Sequence, residues 1–485
     1  MYIGIDLGTS GVKVILMDDA GSIVGSTTQP LTVSNPHPLW SEQNPEQWWH
    51  ATQTCLDELT KEHNLAAVNA IGLAGQMHGA TLLDKKHDIL RPAILWNDGR
   101  CQKQCDELSE QVPDFANITG NLIMPGFTAP KLKWVAENEP ELFDKIDKVL
   151  LPKDYLRFCL SGDFASDMSD SAGTCWLNVA KRDWSDAMLN ACGLTQAQMP
   201  KLYEGNDITG YLKTELATRW GMKSVPIATG GGDNAAGAIG VGITKPGQAM
   251  LSLGTSGVYF VVNDDFASNT ACAVHSFCHA LPNSWHLMSV TLSAASCLQW
   301  FANSSGIDSV KALLDEAQSV VDETHTSLPY FLPYLTGERT PHNNPNATAN
   351  FIGISASTTR AHLCLAVVEG VCMALADGMD ALHDTGVKAS SISLIGGGAQ
   401  SEFWRQLLAD ITHQPLNFCQ GGEVGPALGA ARLAKLAVSP NATIDNTCPE
   451  PVLIQSHQPT ELKRHYYQQR RKKFRQLYGA LSAFY

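Results

Sequence analysis

The sequence has little positive charge for its length. Its 485 residues include 34 Lys and Arg against 48 Asp and Glu, which gives a net charge of −14. A nucleic-acid-binding protein needs a concentrated basic face, so this balance argues against a nucleic-acid partner. One basic stretch, residues 461–478, carries Tyr467, Phe474 and Tyr478 at helical spacing. That spacing predicts a terminal helix docked by an aromatic stripe.

Long apolar runs are also scarce. We identify no predominantly apolar run of about 20 residues, the length that a membrane span needs. Residues 246–263 are uncharged, but their glycines, serines and threonine predict a strand and a turn. The opening MYIGIDLG reads as a strand, without the charged and apolar regions of a secretory signal. We therefore expect a cytoplasmic protein without a membrane partner.

The cysteines lack a pattern. There are 13, an odd number scattered singly, which predicts reduced and buried thiols in a reducing compartment. Cys272, His275, Cys278 and His279 are suitable zinc ligands by type. Their spacing matches no standard pairing of two ligand hooks, so a structural metal is not favoured.

An internal repeat is the most informative feature that the sequence does contain. Residues 5–19 read IDLGTSGVKVILMDD and residues 251–265 read LSLGTSGVYFVVNDD, so LGTSGV occurs twice. Each copy predicts a β-hairpin with a small, tight turn. The chain is long enough for two large domains, and we place their boundary at residue 244, giving domains 1–244 and 245–485.

The two predicted turns suit phosphate. Backbone N–H groups and Thr or Ser hydroxyls can converge on an anion there, and Gly8, Gly11, Gly254 and Gly257 leave room for its oxygens. A duplicated hairpin with only a structural role is the alternative, since glycine-rich turns are common in β proteins.

The two copies differ at positions that matter chemically. Asp6 and Lys13 of the first become Ser252 and Tyr259 in the second. Only the first turn therefore carries a carboxylate that can hold Mg²⁺ directly or through its waters. This asymmetry predicts one nucleotide bound between two unequal halves.

Polar or glycine-rich segments follow several predicted buried strands. Residues 70–74 run into GQMHG, residues 93–96 into NDGR, and the strand beginning at residue 225 into GGGD, whose Asp233 precedes a helix of very small residues. Strand ends are where α/β sheets place ligand sites. Asp233 could alternatively serve as a helix N-cap. Another strand enters GGGAQ, after which Ser401 is predicted to cap a helix, as Asn44 is near the N-terminus.

Two longer segments carry a family resemblance. GFTAPKLKWVAEN at 126–138 and ANFIGISASTTRAHLCLAVVE at 349–369 resemble the signatures of the FGGY carbohydrate kinases, in the actin, Hsp70 and hexokinase superfamily. The resemblance spans nearly the whole chain. It implies an α/β fold of two actin-like (ribonuclease H-like) domains with a catalytic cleft between them. GQMHG and LWNDGR resemble the members that use ATP to phosphorylate the 5-hydroxyl of D-xylulose.

The resemblance also implies residue roles. Asp233 is expected to be the general base, and Asp6 is expected to organise Mg²⁺ through a bound water or directly. The expected nucleotide-binding residues are Gly8, Thr9, Ser10, Lys13, Gly254, Thr255, Ser256, Gly396, Gly397, Gly398, Ala399 and Gln400. The expected sugar-binding residues are Met77, His78, Trp96, Asn97, Asp98, Arg100 and Asn234.

Several alternatives stay open at this point. Asp98 and Arg100 could form a structural ion pair, and Lys13 could point to solvent. The acceptor could be ribulose, fuculose, rhamnulose, gluconate or glycerol. A nucleotide-switched scaffold of the same superfamily would keep both turns but needs neither Asp233 nor GQMHG. A homodimer is a family-level expectation only.

Overall fold

The computed structural model describes residues 1–322, 328–420 and 425–485. Within them, the first half of the chain builds a seven-stranded sheet. Along this sheet the strands are Ile208–Tyr211, Pro226–Ala228, Ala70–Gly75, Tyr2–Leu7, Gly11–Met17 and Ile23–Pro30, and Gly231–Gly232 also pairs with Ala70–Gly75.

The second half builds another seven-stranded sheet within the described residues. Its strands, in spatial order, are His275–Cys278, Trp285–Thr291, Gly257–Asn263, Gln248–Leu253, Ser391–Ile395, Leu416–Cys419 and Leu453–His457.

The repeated hexapeptide occupies equivalent places in the two sheets. In each, an antiparallel hairpin flanks the LGTSGV turn, pairing Leu7 with Val12 and Leu253 with Gly257. The first strand of each hairpin also pairs in parallel with a strand from later in its half. The predicted α/β fold with an internal repeat is therefore confirmed, because both hairpins form and both join mixed sheets.

Short two-stranded ribbons and helices complete the described structure. The ribbons pair Leu177–Asn178 with Asp183–Trp184, Lys201–Tyr203 with Ala165–Asp167, Tyr330–Leu332 with Asn350–Ile352, Glu42–Gln43 with Ala93–Ile94, and Thr81–Leu83 with Lys148–Leu150. The α-helices are Pro45–Glu62, Gln102–Gln111, Phe115–Thr119, Thr128–Asn138, Pro140–Phe143, Pro152–Ser161, Met168–Ala172, Asp186–Ala191, Thr214–Arg219, Asp233–Gly240, Ala295–Ser305, Val310–Ser319, Arg360–His383, Glu402–Thr412, Pro426–Val438, Ile444–Thr447 and Arg464–Leu481.

One helix of the second half lies on the first sheet. Helix Pro426–Val438 packs against helix Asp233–Gly240 and against the strands Tyr2–Leu7 and Ala70–Gly75. A Cβ at Gly429 would collide with the backbone of Ala236, so only glycine permits this approach. The run of small residues after Asp233 is thus explained by close helix packing. The division at residue 244 stays a prediction.

The local cap predictions are confirmed. Asn44 accepts a hydrogen bond from the Glu46 N–H at the start of helix Pro45–Glu62. Ser401 accepts one from the Trp404 N–H at the start of helix Glu402–Thr412. The C-terminal helix Arg464–Leu481 docks with Tyr467 and Phe474 buried, as its aromatic spacing predicts.

One apolar run, helix Arg360–His383, was not predicted from the sequence. This 24-residue helix is long and apolar enough to cross a membrane by composition, with a mean hydropathy of 1.5 in its most apolar window. However, 89% of that window is buried inside the protein. The helix packs against neighbours that include Trp285–Thr291 and Glu402–Thr412, so it forms part of the core.

Candidate active site

A cavity of about 230 Å³ lies between the two halves. The first half contributes Met77, His78, Trp96, Met124, Gly126, Phe127, Asp233 and Asn234, and the second contributes Ser256, Val258, His275, Phe277, Met288, Val290 and Arg339. Five predicted site residues from the first half thus meet in one place. We call this space the inner cavity.

Asp233 stands at the start of helix Asp233–Gly240, directly after the glycine turn. Its Oδ1 accepts hydrogen bonds from the backbone N–H of Asn234 at 2.7 Å and from the Asn234 side-chain amide at 2.9 Å. The N-cap position belongs to Gly232, and no side chain caps this helix. Burial raises the pKa of Asp233 to about 6, although both Asn234 hydrogen bonds oppose the rise. The carboxylate is therefore ionised at neutral pH and is available to accept a proton.

Asp6 lies on the first hairpin strand, opposite Lys13. Burial and the nearby Asp233 carboxylate raise the pKa of Asp6 to about 7, and the Lys13 charge partly offsets them. The buried Oδ1 of Asp6 has no hydrogen-bond partner in the described part of the protein. Two neighbouring carboxylates, one with an unsatisfied oxygen, fit a divalent cation.

This donor set suits magnesium in particular. Mg²⁺ is usually bound by one or two carboxylates together with substrate phosphates and water. No group of three or more His, Cys, Asp or Glu side chains suited to a metal occurs among residues 1–322, 328–420 and 425–485. A magnesium site that consists of these carboxylates and is completed by phosphate oxygens agrees with the Mg²⁺ preference and with the lack of a larger ligand group in these residues.

His78 has a strained backbone, with a φ of 70°. Its Nδ1 lies 2.6 Å from the carbonyl oxygen of Gly173. A carbonyl can only accept, so Nδ1 carries the proton and Nε2 is left as an acceptor. Burial and the Lys131 charge lower the pKa of His78 to about 3. The imidazole is thus neutral and can accept a hydrogen bond from a hydroxyl group.

The first FGGY-like segment, residues 126–138, holds this loop in place. Lys131 donates hydrogen bonds to the carbonyl oxygens of His78 at 2.9 Å and Gly126 at 2.8 Å, and Thr128 donates to His78 at 3.1 Å. Phe127 contacts the His78 ring edge-on, with ring centroids 4.9 Å apart. The segment therefore stabilises the strained backbone of His78 and supplies part of the cavity wall.

A polar network that is only partly buried joins the first LGTSGV turn to the inner cavity. The Trp96 indole donates to the Thr9 hydroxyl at 3.0 Å, and that hydroxyl donates to Gln76 at 2.9 Å. Gln43 donates to the Thr9 carbonyl at 2.7 Å and accepts from Gln76 at 3.0 Å. Trp96 therefore connects the cavity to the turn. Within the turn, the Gly8 N–H donates a hydrogen bond to the Gly11 carbonyl at 2.9 Å.

A larger cavity of about 940 Å³ lies beside the second turn. Five predicted nucleotide-binding residues line it: Gly254, Thr255, Gly397, Gly398 and Gln400. Gly396 has a φ of 95°, which favours glycine, and packs on the backbone of Leu253. Ala399 is buried, with its carbonyl bonded by Arg405 at 2.7 Å. We call this space the outer cavity.

The second turn lies where the two cavities meet. Gly254 and Thr255 line the outer cavity, whereas Ser256 lines the inner cavity beside Asp233. Ser256 was predicted to contact nucleotide, and its position adds it to the inner wall. A ligand spanning both cavities would pass this turn.

Three predicted sugar-binding residues lie away from the inner cavity. Arg100 pairs with Asp98 at 2.6 Å and Glu42 at 2.8 Å, and its guanidinium covers the Trp40 ring at 3.6 Å. These contacts favour the structural ion pair that the sequence left open. Asn97 is exposed and lines a separate surface pocket.

Sequence reasoning missed the wall that the second half contributes. His275 and Arg339 line the inner cavity, and Phe127 faces them from the first half. The sequence marked His275 only as a possible zinc ligand and did not mark Arg339, because the strands and loops that bring them to Asp233 are far apart in the chain. Phe127 did lie in a segment singled out for its family resemblance.

Comparison with known proteins identifies the family. The model of the FGGY family of carbohydrate kinases, N-terminal domain, matches residues 1–240, and that of the C-terminal domain matches residues 249–438. The chain belongs to the FGGY family of carbohydrate kinases, a family of sugar-phosphorylating enzymes. Its fold is accordingly the two-domain, actin-like fold that the sequence predicted.

Individual relatives are similar over most or nearly all of their length. The chain is 60% identical over 481 residues to the xylulose kinase of Escherichia coli (strain K12), covering 99% of both proteins. It is 38% identical to the xylulose kinase of Bacillus subtilis (strain 168), covering 89% of this chain and 87% of that protein. A crystal structure of a "xyloylose kinase" from Brucella ovis superposes with a TM-score of 0.94 at 45% identity, covering all of both chains.

Proposed function

We propose that this protein transfers the γ-phosphoryl group of ATP to the 5-hydroxyl of D-xylulose, giving D-xylulose 5-phosphate and ADP. The observation that carries the proposal is the second turn, which joins a glycine-lined outer cavity to an inner cavity containing Asp233. Xylulose kinases at 60% and 56% identity over nearly the whole chain support this choice of sugar.

The chemistry of the acceptor agrees with the inner cavity. D-Xylulose closes its ring by adding the 5-hydroxyl to the C2 carbonyl, so only the open-chain form has a free 5-hydroxyl. We propose that Asp233 accepts a hydrogen bond from this hydroxyl and takes its proton as the oxygen bonds to phosphorus. The bond from phosphorus to the ADP oxygen breaks in the same transfer. A base of pKa about 6 is weak, so orientation contributes more than early deprotonation.

The remaining inner-cavity residues have separate tasks in this proposal. The neutral His78 accepts a hydrogen bond from a sugar hydroxyl through Nε2, and Asn234 fixes the Asp233 carboxylate. Met77 shapes the wall, and Trp96 links the sugar to the first turn. This proposal does not require Asn97, Asp98 or Arg100 to contact the sugar directly.

The phosphates are proposed to lie between the two turns. Gly8, Thr9, Ser10 and the Lys13 charge would face them from the first hairpin, and Gly254 and Thr255 from the second. Asp6 would hold Mg²⁺ directly or through water, and the cation would neutralise charge on the phosphate oxygens. The loop 396–400 would receive the adenosine. We expect the reaction in the cytoplasm, by a protein that is a monomer or a homodimer.

The test is ADP release with Mg-ATP and a panel of acceptors. The panel contains D-xylulose, D- and L-ribulose, L-fuculose, gluconate, glycerol and no sugar, with wild type and Asp233→Ala. We expect stimulation chiefly by D-xylulose, lost in the folded variant. Preference for another acceptor would overturn the proposed sugar. ATP turnover that no acceptor stimulates would favour a nucleotide-switched scaffold instead.

A further inference from the structure

The most informative unassigned group is Arg339, which the second half places in the wall of the inner cavity. Its Nη1 lies 3.4 Å from Nε2 of His275. Nδ1 of His275 faces the Asn121 side-chain oxygen at 3.2 Å, and that oxygen can only accept. His275 therefore carries its proton on Nδ1, and Arg339 donates to Nε2. The guanidinium has further N–H donors than this one contact uses.

Arg339 has no carboxylate at ion-pair distance in the described part of the chain, although the charge of Glu338 partly offsets the lowering of the Arg339 pKa by burial. Its neighbour Glu338 accepts hydrogen bonds from the N–H groups of Leu292 and Arg339 at 3.0 and 2.7 Å. Burial raises the pKa of Glu338 to about 8, so this carboxyl is largely neutral at pH 7. Within residues 1–322, 328–420 and 425–485, Arg339 forms no ion pair. A half-buried guanidinium that lines a cavity and has no carboxylate at ion-pair distance indicates a ligand that accepts hydrogen bonds.

Arg339 lies at the His275 end of the aromatic wall of the inner cavity. An aromatic wall runs from His78 through Phe127 to His275, with ring centroids 4.9 and 5.8 Å apart, and Arg339 follows His275. The Arg339 charge lowers the pKa of both histidines, whereas the pKa of Asp233 is set by burial and Asn234. A sugar with its 5-hydroxyl at Asp233 would extend its other end toward Arg339.

We propose that Arg339 is a specificity-determining residue that donates hydrogen bonds to the carbonyl end, C1 and C2, of the open-chain ketose. This inference rests on the proposed function. The reactive sugar must carry a C2 carbonyl, because ring closure consumes the 5-hydroxyl. A carbonyl oxygen only accepts hydrogen bonds and Arg only donates them, so the two groups are complementary. A polyol instead has a hydroxyl group at C2. Arg339 has no acceptor for the proton of that hydroxyl, because a guanidinium only donates hydrogen bonds.

The test compares D-xylulose with xylitol, which differs from it at C2. We would measure the KM of D-xylulose and the KM or inhibition constant of xylitol for wild type and Arg339→Gln. Because the variant loses a hydrogen bond from a charged group, its affinity for D-xylulose should fall about 10- to 100-fold. The xylitol constant should change less, so the preference for the ketose should fall. The KM of ATP should stay within about twofold, since Arg339 lies in the inner cavity.

Arg182 provides a matched control. It is half-buried like Arg339 and bridges the two halves, pairing with Glu204 at 2.6 Å and donating to the Ser284 carbonyl at 2.7 Å, but it does not line the inner cavity. Arg182→Gln should leave the ketose preference unchanged. If Arg339→Gln does not fold, Arg339→Lys is measured instead. We expect it to lose D-xylulose affinity and ketose preference in the same direction but by less.

The outcomes separate this inference from the proposed function. If wild type does not phosphorylate D-xylulose, the proposed function fails. If wild type does so and the Arg339 variant keeps the wild-type preference for D-xylulose over xylitol, only the role of Arg339 is overturned. An equal loss for both ligands would also overturn it, because Arg339 would then not discriminate at C2.

Discussion

Replacing Asp233 with Asn should stabilise the free protein while abolishing most of its activity. The Asp233 side chain is half-buried near Asp6, and its two hydrogen bonds both come from Asn234. An Asn side chain has nearly the same shape, and its oxygen can keep both bonds. The substitution therefore removes a charge that burial disfavours without opening a cavity. Activity should fall by about 10²- to 10⁴-fold, the usual contribution of a general base.

The size of the stabilisation follows from the pKa. Burial raises the pKa of Asp233 from 3.8 to about 6, and each unit corresponds to about 1.4 kcal/mol. Removing the charge can therefore raise the free energy of unfolding by at most about 3 kcal/mol. Because solvent screening in the cavity reduces this gain, we expect about 1 to 3 kcal/mol. That corresponds to a rise in Tm of about 1 to 3 °C if the whole chain unfolds cooperatively.

The sign of the pH dependence is specific. Asp233 ionises near pH 3.8 in the unfolded chain and near pH 6 in the folded protein. Wild type therefore loses stability as the pH rises between these values, and the Asn variant does not. The difference in stability should be small near pH 4, should grow until about pH 6 to 7, and should then level off.

Thermal unfolding with a chelator present, at a series of pH values, measures this difference. Asp308→Asn is the control, because Asp308 is exposed and the variant loses the same formal charge. An Asp233→Asn protein that is less stable than wild type across this range would refute the reasoning. So would a stabilisation that does not depend on pH.

Three further predictions concern the other groups of the site. Asp6→Asn should lower Mg-ATP turnover but leave sugar affinity, measured by calorimetry, largely intact; an equal loss of sugar binding would contradict this. In the Asp233→Asn background, sugar affinity should be constant from about pH 5 to 8, because the pKa of His78 is about 3; a transition near pH 6.5 would mean that His78 titrates. Gly396→Ala forces a φ of 95° and a 2.8 Å contact with Leu253, so the KM of ATP should rise about tenfold or more while that of the sugar stays constant; unchanged ATP kinetics would exclude this loop from the nucleotide site.

Features written into neighbouring residues could be predicted. The two LGTSGV hairpins form because apolar strands flank a small turn, and Asn44 and Ser401 cap helices because their side chains reach N–H groups close by. The residues at the ends of strands, including His78 and Asp233, meet in one cavity because the strands share a sheet edge.

Features that depend on distant parts of the chain could not be predicted in this way. Arg339 and His275 reach the inner cavity only because the second sheet packs against the first half. Arg100 follows a predicted strand as His78 does, but Glu42 and Trp40 hold it elsewhere. Helix Arg360–His383 was not predicted from the sequence, and only its packing identifies it as a core helix.

The central claim is that the inner cavity presents the 5-hydroxyl of D-xylulose to the γ-phosphate of ATP. The most direct test uses D-xylulose enriched with carbon-13 at C5, incubated with Mg-ATP and the wild-type protein. Phosphorus NMR of the product should give a sugar-phosphate resonance split by the labelled carbon. An unsplit resonance would place the phosphate on another hydroxyl, and ADP formation without any sugar phosphate would contradict the account altogether.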